Sequence, residues 1–211
     1  MFPITGCYSN NIRILVNSSK RRLLWSSKLF KINKDETTSN SAIKGVRSST
    51  KDMTYTLCKT INDVSPQRTF SIVSQIQQYQ DYIPYCKESV VHERDQSTNW
   101  PILASLRVGF KQYDEKFVCN VKCNKESDNH YMIVADSISD HLFNGFVCQW
   151  EIVSHPGRPN SSQIKLSLKF QFKSSLYNNV ASLFARSLTS LALNSFHKRI
   201  IQYERNEMKR P

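Results

Sequence analysis

The sequence contains few glycines and no long apolar run. The first shortage argues against a nucleotide-binding loop, and the second against a membrane-spanning helix. Five glycines occur in 211 residues, and they do not form the glycine-rich turn that holds a nucleotide phosphate. No stretch reaches the roughly 18 consecutive apolar residues that a membrane-spanning helix needs. The longest candidate, Leu183–Leu193, is interrupted by Arg186 and by three hydroxyl residues. We therefore expect neither a nucleotide cradle nor a membrane-spanning helix.

Acidic residues are absent from the first 34 positions, and the chain as a whole carries a net charge of +12. Residues 1–46 contain eight lysines and arginines against two acidic residues, and they are rich in Ser and Asn. A basic, acid-poor, hydroxyl-rich leader is typical of mitochondrial import, and a plain basic tail is the alternative. We predict a disordered, cleaved targeting leader over residues 1–46 and one folded domain over residues 47–211.

None of the six cysteines forms a Cys-x-x-Cys pair, and no secretory signal is present. Cys119 and Cys123 share one predicted strand, on which four residues span roughly 13 Å, too far for a shared zinc ion or a disulfide. Cys86 and His92 would lie roughly 20 Å apart on a strand, so a nucleophilic Cys86 would need a base from elsewhere in the chain. We predict no metal site, and a buried thiol is the simpler interpretation of Cys86.

Alternation of apolar and polar residues dominates the middle of the chain and predicts antiparallel strands with one dry face. Tyr55–Ile61 precedes these strands, and Ser65 with Pro66 provides the N-cap and first position of a short helix that Pro84 stops. The dry face includes several of the candidate residues: Leu106, Val108, Phe110, Phe117, Phe146, Trp150, Leu168 and Phe170.

A long helical pattern without Pro or Gly follows, from about Leu176 to Arg205. Its apolar residues recur at helical spacing and are predicted to face the sheet: Leu176, Val180, Leu183, Phe184, Leu188 and Leu191. The sequence thus predicts an α+β fold. A curved antiparallel sheet of about six to seven strands wraps around a long C-terminal helix, with short helices after the first strand.

The high positive charge raises the question of nucleic-acid binding, which needs aromatic and basic side chains on one exposed face. Here the strand aromatics have the dry parity, whereas Lys122, Lys165 and Lys169 have the wet parity. This separation argues against an RNA-binding sheet, and we predict no nucleic-acid partner. The aromatic, thiol-rich dry face leaves two interpretations open, a filled core or a hollow for a long apolar ligand.

Several segments in order resemble the mitochondrial coenzyme Q-binding proteins, a family of the START-like superfamily of polyketide cyclases and lipid-transfer proteins. They are "YIPYCKESVV", "LRVGFKQYDEKFVCNV", "LFNGFVCQWEI" and "KFQFKSSLYNNVASLF". The resemblance extends from about Thr54 to Arg205. Tyr85 stands where the family often has Trp, which keeps an aromatic ring but adds a hydroxyl that needs a partner.

The resemblance implies a helix-grip fold whose hydrophobic tunnel binds ubiquinone or a related polyprenyl quinone, with no catalytic cofactor. It implies a chaperone or transfer protein, not an enzyme, that supports respiratory electron transport and quinone biosynthesis. It places the protein peripherally on the matrix side of the mitochondrial inner membrane, with quinone-biosynthesis or respiratory complexes as further partners. A cyclase-type enzyme acting on an aromatic or polyketide-like substrate is the alternative, with Glu115 as its best carboxylate.

On this basis the candidate ligand-binding residues are Tyr82, Ile83, Pro84, Tyr85, Cys86, Leu106, Val108, Phe110, Phe117, Phe146, Trp150, Leu168, Phe170, Val180, Leu183, Phe184 and Leu188. Tyr82, Tyr85 and the Trp150 indole are candidate hydrogen-bond donors to the headgroup. The candidate membrane contacts are Leu142 and Phe143, expected in an exposed loop, with Lys198 and Arg199 near the helix end. A tucked loop and a solvated helix end are the alternative.

Overall fold

The fold is one antiparallel sheet with a long helix across it. It is given by a computed structural model that describes residues 53–110 and 113–209. The side chains of residues 110, 180 and 182–184 are not described. The predicted leader, residues 1–46, lies outside these residues and stays a prediction. The strands are β1 (Met53–Ile61), β2 (Cys86–Arg94), β3 (Pro101–Phe110), β4 (Tyr113–Ser127), β5 (His130–Ser137), β6 (Phe143–Ser154) and β7 (Ser162–Phe172). The helices are α1 (Pro66–Val73), α2 (Tyr79–Tyr82) and α3 (Ser175–Glu207), with a 3₁₀ turn at Ile76–Gln78.

The seven strands form a single sheet in the order β1-β7-β6-β5-β4-β3-β2. Every pair is antiparallel, so the sheet is built almost entirely from neighbouring hairpins. Only β1 and β2, which follow each other in the chain, lie at opposite edges, and α1 and α2 connect them. The predicted helix-grip architecture is confirmed.

Local sequence signals set the ends of the short helices. The Ser65 side chain accepts a hydrogen bond from the Arg68 backbone N–H at 3.2 Å, and Pro66 occupies the first turn of α1. Helix α2 ends at Tyr82, two residues before Pro84, as the restriction on the residue before proline predicts. These signals therefore fix where the chain leaves the helices and enters β2.

Helix α3 presents a different face to the sheet from the one predicted. Leu176, Leu188 and Leu191 are 59%, 45% and 37% exposed, so the inward direction expected for them is wrong. Among the side chains of α3 that the structure describes, the buried ones are Ala185, Thr189, Leu193, Phe196 and Ile200. They also follow helical spacing, and Ala185 and Thr189 are the small residues among them. Two faces of α3 satisfy the same periodicity, and the sheet packs against the one that carries Ala185 and Thr189 together with Leu193, Phe196 and Ile200.

The buried apolar residues form two separate clusters. The core cluster joins α1, strands β5–β7 and the C-terminal half of α3, and includes Phe70, Ile133, Trp150, Ile152, Ile164, Leu166, Phe196 and Ile200. The aromatic cluster consists of Phe117, Cys119, Leu142 and Phe143, with Val108, Phe146, Phe172 and Tyr177 packed against it. Leu106 and Ala135, which are only partly buried, pack against both clusters.

Candidate functional site

Between the two clusters lies a band of apolar residues on the inner face of the sheet that keep accessible surface. Ile133, Trp150 and Leu166 are direct neighbours on β5, β6 and β7, and all are at most 4% exposed. Two residues further along each strand, Ala135, Cys148 and Leu168 are again direct neighbours, but they are only partly buried. These strands are central in the sheet, so the exposure does not come from a sheet edge. Phe196 of α3 packs on Trp150 in the first row, whereas the second row keeps accessible surface.

Two thiols lie in this region of the sheet, Cys123 on β4 and Cys148 on β6. Burial raises the pKa of Cys148 to about 12 and that of Cys123 to about 12, although both residues are only partly buried. The pKa values keep both thiols neutral at physiological pH, which makes them apolar lining and poor nucleophiles.

The aromatic cluster bounds one end of this band. Phe143 packs against Phe172 with ring centroids 4.8 Å apart and against Phe117 at 5.5 Å. The Tyr177 hydroxyl, near the start of α3, donates a hydrogen bond to a Glu115 carboxylate oxygen at 2.7 Å. Glu115 lies opposite Val108 in the sheet register. The carboxylate identified from the sequence is thus paired with α3 at the aromatic end.

Two buried donors lie at the other side of the band, where α2 meets α3. The Tyr82 hydroxyl and the Arg199 Nε are buried and have no hydrogen-bond partner within residues 53–110 and 113–209. The Arg199 guanidinium lies 5.5 Å from the centre of the Tyr82 ring and donates through Nη2 to Gln78 at 2.8 Å. Burial raises the pKa of Tyr82 well above its usual range, so its hydroxyl keeps its proton.

Most sequence-predicted pocket residues with described side chains lie on the inner face or against the clusters. Tyr82, Ile83 and Cys86 pack against the core cluster. Phe170 contacts the ring of Phe172, which packs against the aromatic cluster. The others belong to one of the two clusters or pack against it: Leu106, Val108, Phe117, Phe146, Trp150 and Leu168. Phe110, Val180, Leu183 and Phe184 have side chains outside the description. Trp150 is 4% exposed, and its role as a headgroup donor stays a prediction.

The expected position of Tyr85 needs correction, as does that of Leu188 on the outside of α3. Tyr85 is 44% exposed and has a φ of 69°, the left-handed region that bulky residues rarely adopt. Pro84 beside it is also exposed. The turn from α2 into β2 therefore directs these two residues away from the interior, and only Tyr82, Ile83 and Cys86 of this segment contribute to the wall.

The expected exposure of the loop before β6 is also wrong. Leu142 and Phe143 are only 5% and 7% exposed and belong to the aromatic cluster. The Leu142 carbonyl accepts a hydrogen bond from the Lys173 N–H at 3.0 Å, which ties the loop to the end of β7. Arg199 is occupied by Gln78 and Tyr82, whereas Lys198 is exposed. A membrane contact through Leu142 and Phe143 would require this loop to open.

Sequence reasoning missed three residues that shape the site. Tyr79 and Phe196 pack edge to face at 4.9 Å beneath Tyr82, and Ala135 lies in the partly buried band. Phe196 follows Ala185 and Thr189 at helical spacing, so the helix face marked by these two small residues would have included it. Ala135 lies opposite Cys148, but only the strand register reveals that pairing.

A polar groove elsewhere on the surface does not share these properties. It encloses about 580 Å³ and is lined by charged and polar residues of the β2–β3 turn, with Ile102 as its one large apolar residue: Glu93, Arg94, Asp95, Gln96, Ser97 and Ile102. Within the described part of the chain, no cluster of three metal-ligating side chains occurs, and no helix is long and apolar enough to cross a membrane.

Comparison with known proteins adds independent information. Residues 63–197 match the family described as polyketide cyclase / dehydrase and lipid transport. The chain is 43% identical over 169 residues to the mitochondrial coenzyme Q-binding protein COQ10 of Saccharomyces cerevisiae, covering 80% of this chain and 81% of that protein. It is 41% identical over 162 residues to the protein of the same name in Eremothecium gossypii, covering 77% and 79%.

Solved structures agree on the fold. A START superfamily protein from Mycobacterium smegmatis superimposes with a TM-score of 0.58, over 72% of this chain and 98% of that one. The two sequences are 18% identical, so the likeness concerns the fold alone.

Proposed function

The chain belongs to the polyketide cyclase / dehydrase and lipid transport family and to its coenzyme Q-binding proteins, and from that premise we propose that it binds coenzyme Q or a related polyprenyl quinone. Its role is to carry the quinone for respiratory electron transport and quinone biosynthesis, as a chaperone or transfer protein. It works without a catalytic cofactor and does not transform its ligand.

The observation that carries this proposal is the accessible apolar band between the core cluster and the aromatic cluster. Ala135, Cys148 and Leu168 share the inner face with Ile133, Trp150 and Leu166 and keep accessible surface, although none of them lies on an edge strand. An isoprenoid tail is almost pure hydrocarbon, and each five-carbon unit gains about 4 kcal/mol from leaving water. Such a tail matches a lining of aliphatic, aromatic and neutral thiol groups.

Exchange with a membrane sets how tight this binding has to be. Because a tail of several units is already stable in lipid, the protein needs only a comparable environment for the quinone to move in both directions. The long chain would leave either environment slowly through water, so a protein that shields the tail speeds transfer. This supports a carrier role without any chemical step.

The Tyr82 hydroxyl is the best-supported partner for the quinone headgroup. It is a buried donor with no acceptor within the described residues, next to a second such donor at Arg199 Nε. An unsatisfied buried donor costs free energy, and a quinone carbonyl oxygen can accept hydrogen bonds from both. The headgroup would then lie between α2 and α3, with the tail in the apolar band.

The inward-facing groups favour binding over catalysis. Burial raises the pKa of Cys86, and those of Cys119, Cys123 and Cys148 reach about 12, so these thiols are protonated at neutral pH. Glu115, the carboxylate that a cyclase would need, is hydrogen bonded to Tyr177. Neither set of groups is arranged as a nucleophile with its base.

The proposed site of action is the mitochondrial inner membrane, contacted peripherally from the matrix side. The basic, acid-poor residues 1–46 fit an import leader, and the two relatives described above are named as mitochondrial proteins. Quinone-biosynthesis or respiratory complexes are the partners that such a carrier would meet there.

Organic extraction of the purified protein followed by mass spectrometry tests the binding proposal. We expect a polyprenyl quinone at a level approaching one molecule per chain after expression in a quinone-producing host. Protein purified in the same way from a quinone-deficient host should take up added quinone. The mass of the quinone recovered from it should equal that of the quinone added. Extracts that contain only phospholipid, or a chemically altered quinone, would contradict the proposed carrier.

A further inference from the structure

Helix α3 exposes large apolar side chains on the side that faces away from the sheet. Leu176, Leu188 and Leu191 are 59%, 45% and 37% exposed. The same helix buries Leu193, Phe196 and Ile200 on its other side, so α3 carries apolar residues on two opposite sides. The exposed leucines therefore need an account that the packing of the domain does not supply.

Basic residues continue the same side of the helix toward its C-terminus. Leu191, Lys198 and Arg205 are spaced by seven residues, which brings them to nearly the same side of an α-helix, and Leu188 precedes Leu191 by three. All four are exposed. At about 1.5 Å per residue, Leu188 and Arg205 lie roughly 25 Å apart along the helix. We call Leu176, Leu188, Leu191, Lys198 and Arg205 the outer face of α3.

The charge of this face has one sign. The only acidic residues of α3 are Glu204 and Glu207, and both form ion pairs with Arg68 of α1, at 2.8 and 3.3 Å. Beside the face, Lys59 of β1 donates to Asn194 of α3 at 2.7 Å and adds a further positive charge. The outer face of α3 thus combines exposed leucines with lysine and arginine and includes no carboxylate.

We propose that the outer face of α3 docks the protein on an anionic lipid bilayer. The leucines enter the headgroup region, while Lys198 and Arg205 contact lipid phosphates, each contributing about fivefold to the partition into an anionic membrane. A second copy of this chain is the less suitable occupant, because it would bring a second set of basic residues without any acid to neutralise them. The proposal rests on the proposed function, since it names the surface through which a quinone carrier meets its source.

This docking surface replaces the loop at Leu142 and Phe143, whose side chains are buried in the aromatic cluster. It also has a consequence for ligand transfer. The same helix that covers the apolar band with its inner side would rest on the membrane with its outer side. Docking would therefore place the cover of the binding site next to the lipid from which the quinone comes.

Liposome flotation tests the surface directly. The full chain is mixed with phosphatidylcholine vesicles and with vesicles that also contain cardiolipin. We expect stronger flotation with cardiolipin, decreasing with salt. Leu188→Asp combined with Leu191→Asp should reduce bound protein at least tenfold, and Lys198→Gln combined with Arg205→Gln should remove the preference for cardiolipin.

A matched control places the same two negative charges on the outer face of β4, as Asn120→Asp with Asn124→Asp, and should keep more than half of the flotation. Equal loss in the control and the leucine variant, or wild-type flotation of the leucine variant, would overturn the proposal. Wild-type flotation combined with a dimer that the leucine substitutions dissociate would assign the face to a second copy instead. Quinone binding in detergent micelles, measured on every variant, should be unchanged, so that a failure of quinone binding is recognised separately.

Discussion

The ring of Phe196 on α3 lies edge-on to the indole of Trp150 on β6, with ring centroids 4.5 Å apart and ring planes at 64°. Both residues are almost fully buried, at 2% and 4% exposed. This contact marks where α3 closes on the sheet. One row further along the strands, the helix leaves Cys148 partly accessible. The Phe196–Trp150 pair therefore separates the packed core from the proposed ligand space.

Phe196→Ala should lower the free energy of unfolding by about 3–5 kcal/mol, the usual cost of removing a buried aromatic ring. The loss follows from contacts with Trp150, Tyr79 and Tyr82. Urea denaturation followed by circular dichroism measures it. Leu191→Ala on the exposed side of α3 is the control and should change stability by less than about 0.5 kcal/mol; similar values for the two variants would contradict the assigned inner face.

Cys148→Phe should lower quinone affinity by at least tenfold without lowering the stability of the ligand-free protein. The larger side chain would occupy space that the tail needs, and filling a space does not create a cavity. Quinone titration monitored by intrinsic fluorescence, with thermal unfolding in parallel, provides the measurement. Gln149→Phe, the neighbouring position on the outer face of β6, should leave affinity within twofold. A strongly destabilised Cys148→Phe would indicate a filled interior at this position.

Tyr82→Phe and Tyr79→Phe should have opposite effects. The Tyr82 hydroxyl lacks an acceptor in the described part of the chain, so removing it should weaken quinone binding about three- to tenfold and leave stability unchanged or slightly higher. The Tyr79 hydroxyl donates to the Val73 carbonyl, so removing it should cost about 1 kcal/mol of stability and leave affinity unchanged. Isothermal titration and urea denaturation separate the two; a Tyr82→Phe variant with full affinity would reject the headgroup assignment.

Cys86→Ser should keep quinone binding and complementation of a quinone-carrier deletion within about twofold. The Cys86 thiol donates weakly to the Glu88 carbonyl at 3.5 Å, and burial raises its pKa, so it acts as packing. A hydroxyl can make the same hydrogen bond. Val108→Asp in the same part of the sheet should abolish ligand retention because it introduces a charge into the apolar space. Loss of activity in a folded Cys86→Ser protein would point to thiol chemistry.

Alkaline pH should destabilise the fold before it affects the exposed charges of the surface. The pKa values of Cys119, Cys123 and Cys148 are raised by burial to about 12 in the folded protein, whereas an unfolded thiol ionises near 8.5. Between these values the folded chain binds more protons, so stability falls as pH rises above about 9 and is unaffected by these thiols below about 8. Urea denaturation from pH 7 to 10 measures the trend, and Cys123→Ala with Cys148→Ala should make it shallower.

The sheet could be predicted from the sequence because each strand has a strict two-residue period. Once Phe117, Trp150 and Phe170 share one parity, the inner face follows, and the structure places all three there. The capping signals at Ser65 and Pro66 work equally well because they depend on a few adjacent residues. What the period does not provide is how far the covering helix lies above each row, and so the filled and hollow interpretations could not be separated.

The errors occur where periodicity is ambiguous or absent. Apolar residues occur around much of α3, so Leu188 and Leu191 satisfy the helical spacing as well as Leu193 and Phe196 do, and only the small Ala185 and Thr189 distinguish the buried side. Leu142 lies in a loop, where no period indicates direction. The positive φ of Tyr85 depends on the turn between α2 and β2. A tyrosine in the sequence does not indicate such a backbone conformation.

The pairing of β1 with β7 has a consequence for how the chain acquires its shape. Met53 lies opposite Phe170, so the strand that leaves the ribosome first obtains its hydrogen-bonding neighbour only after nearly the entire domain has been made. Contacts between such distant positions slow folding, and an unpaired strand edge invites aggregation in the meantime. A nascent or newly translocated chain should therefore depend on holding factors that cover its first strand until synthesis reaches the last one.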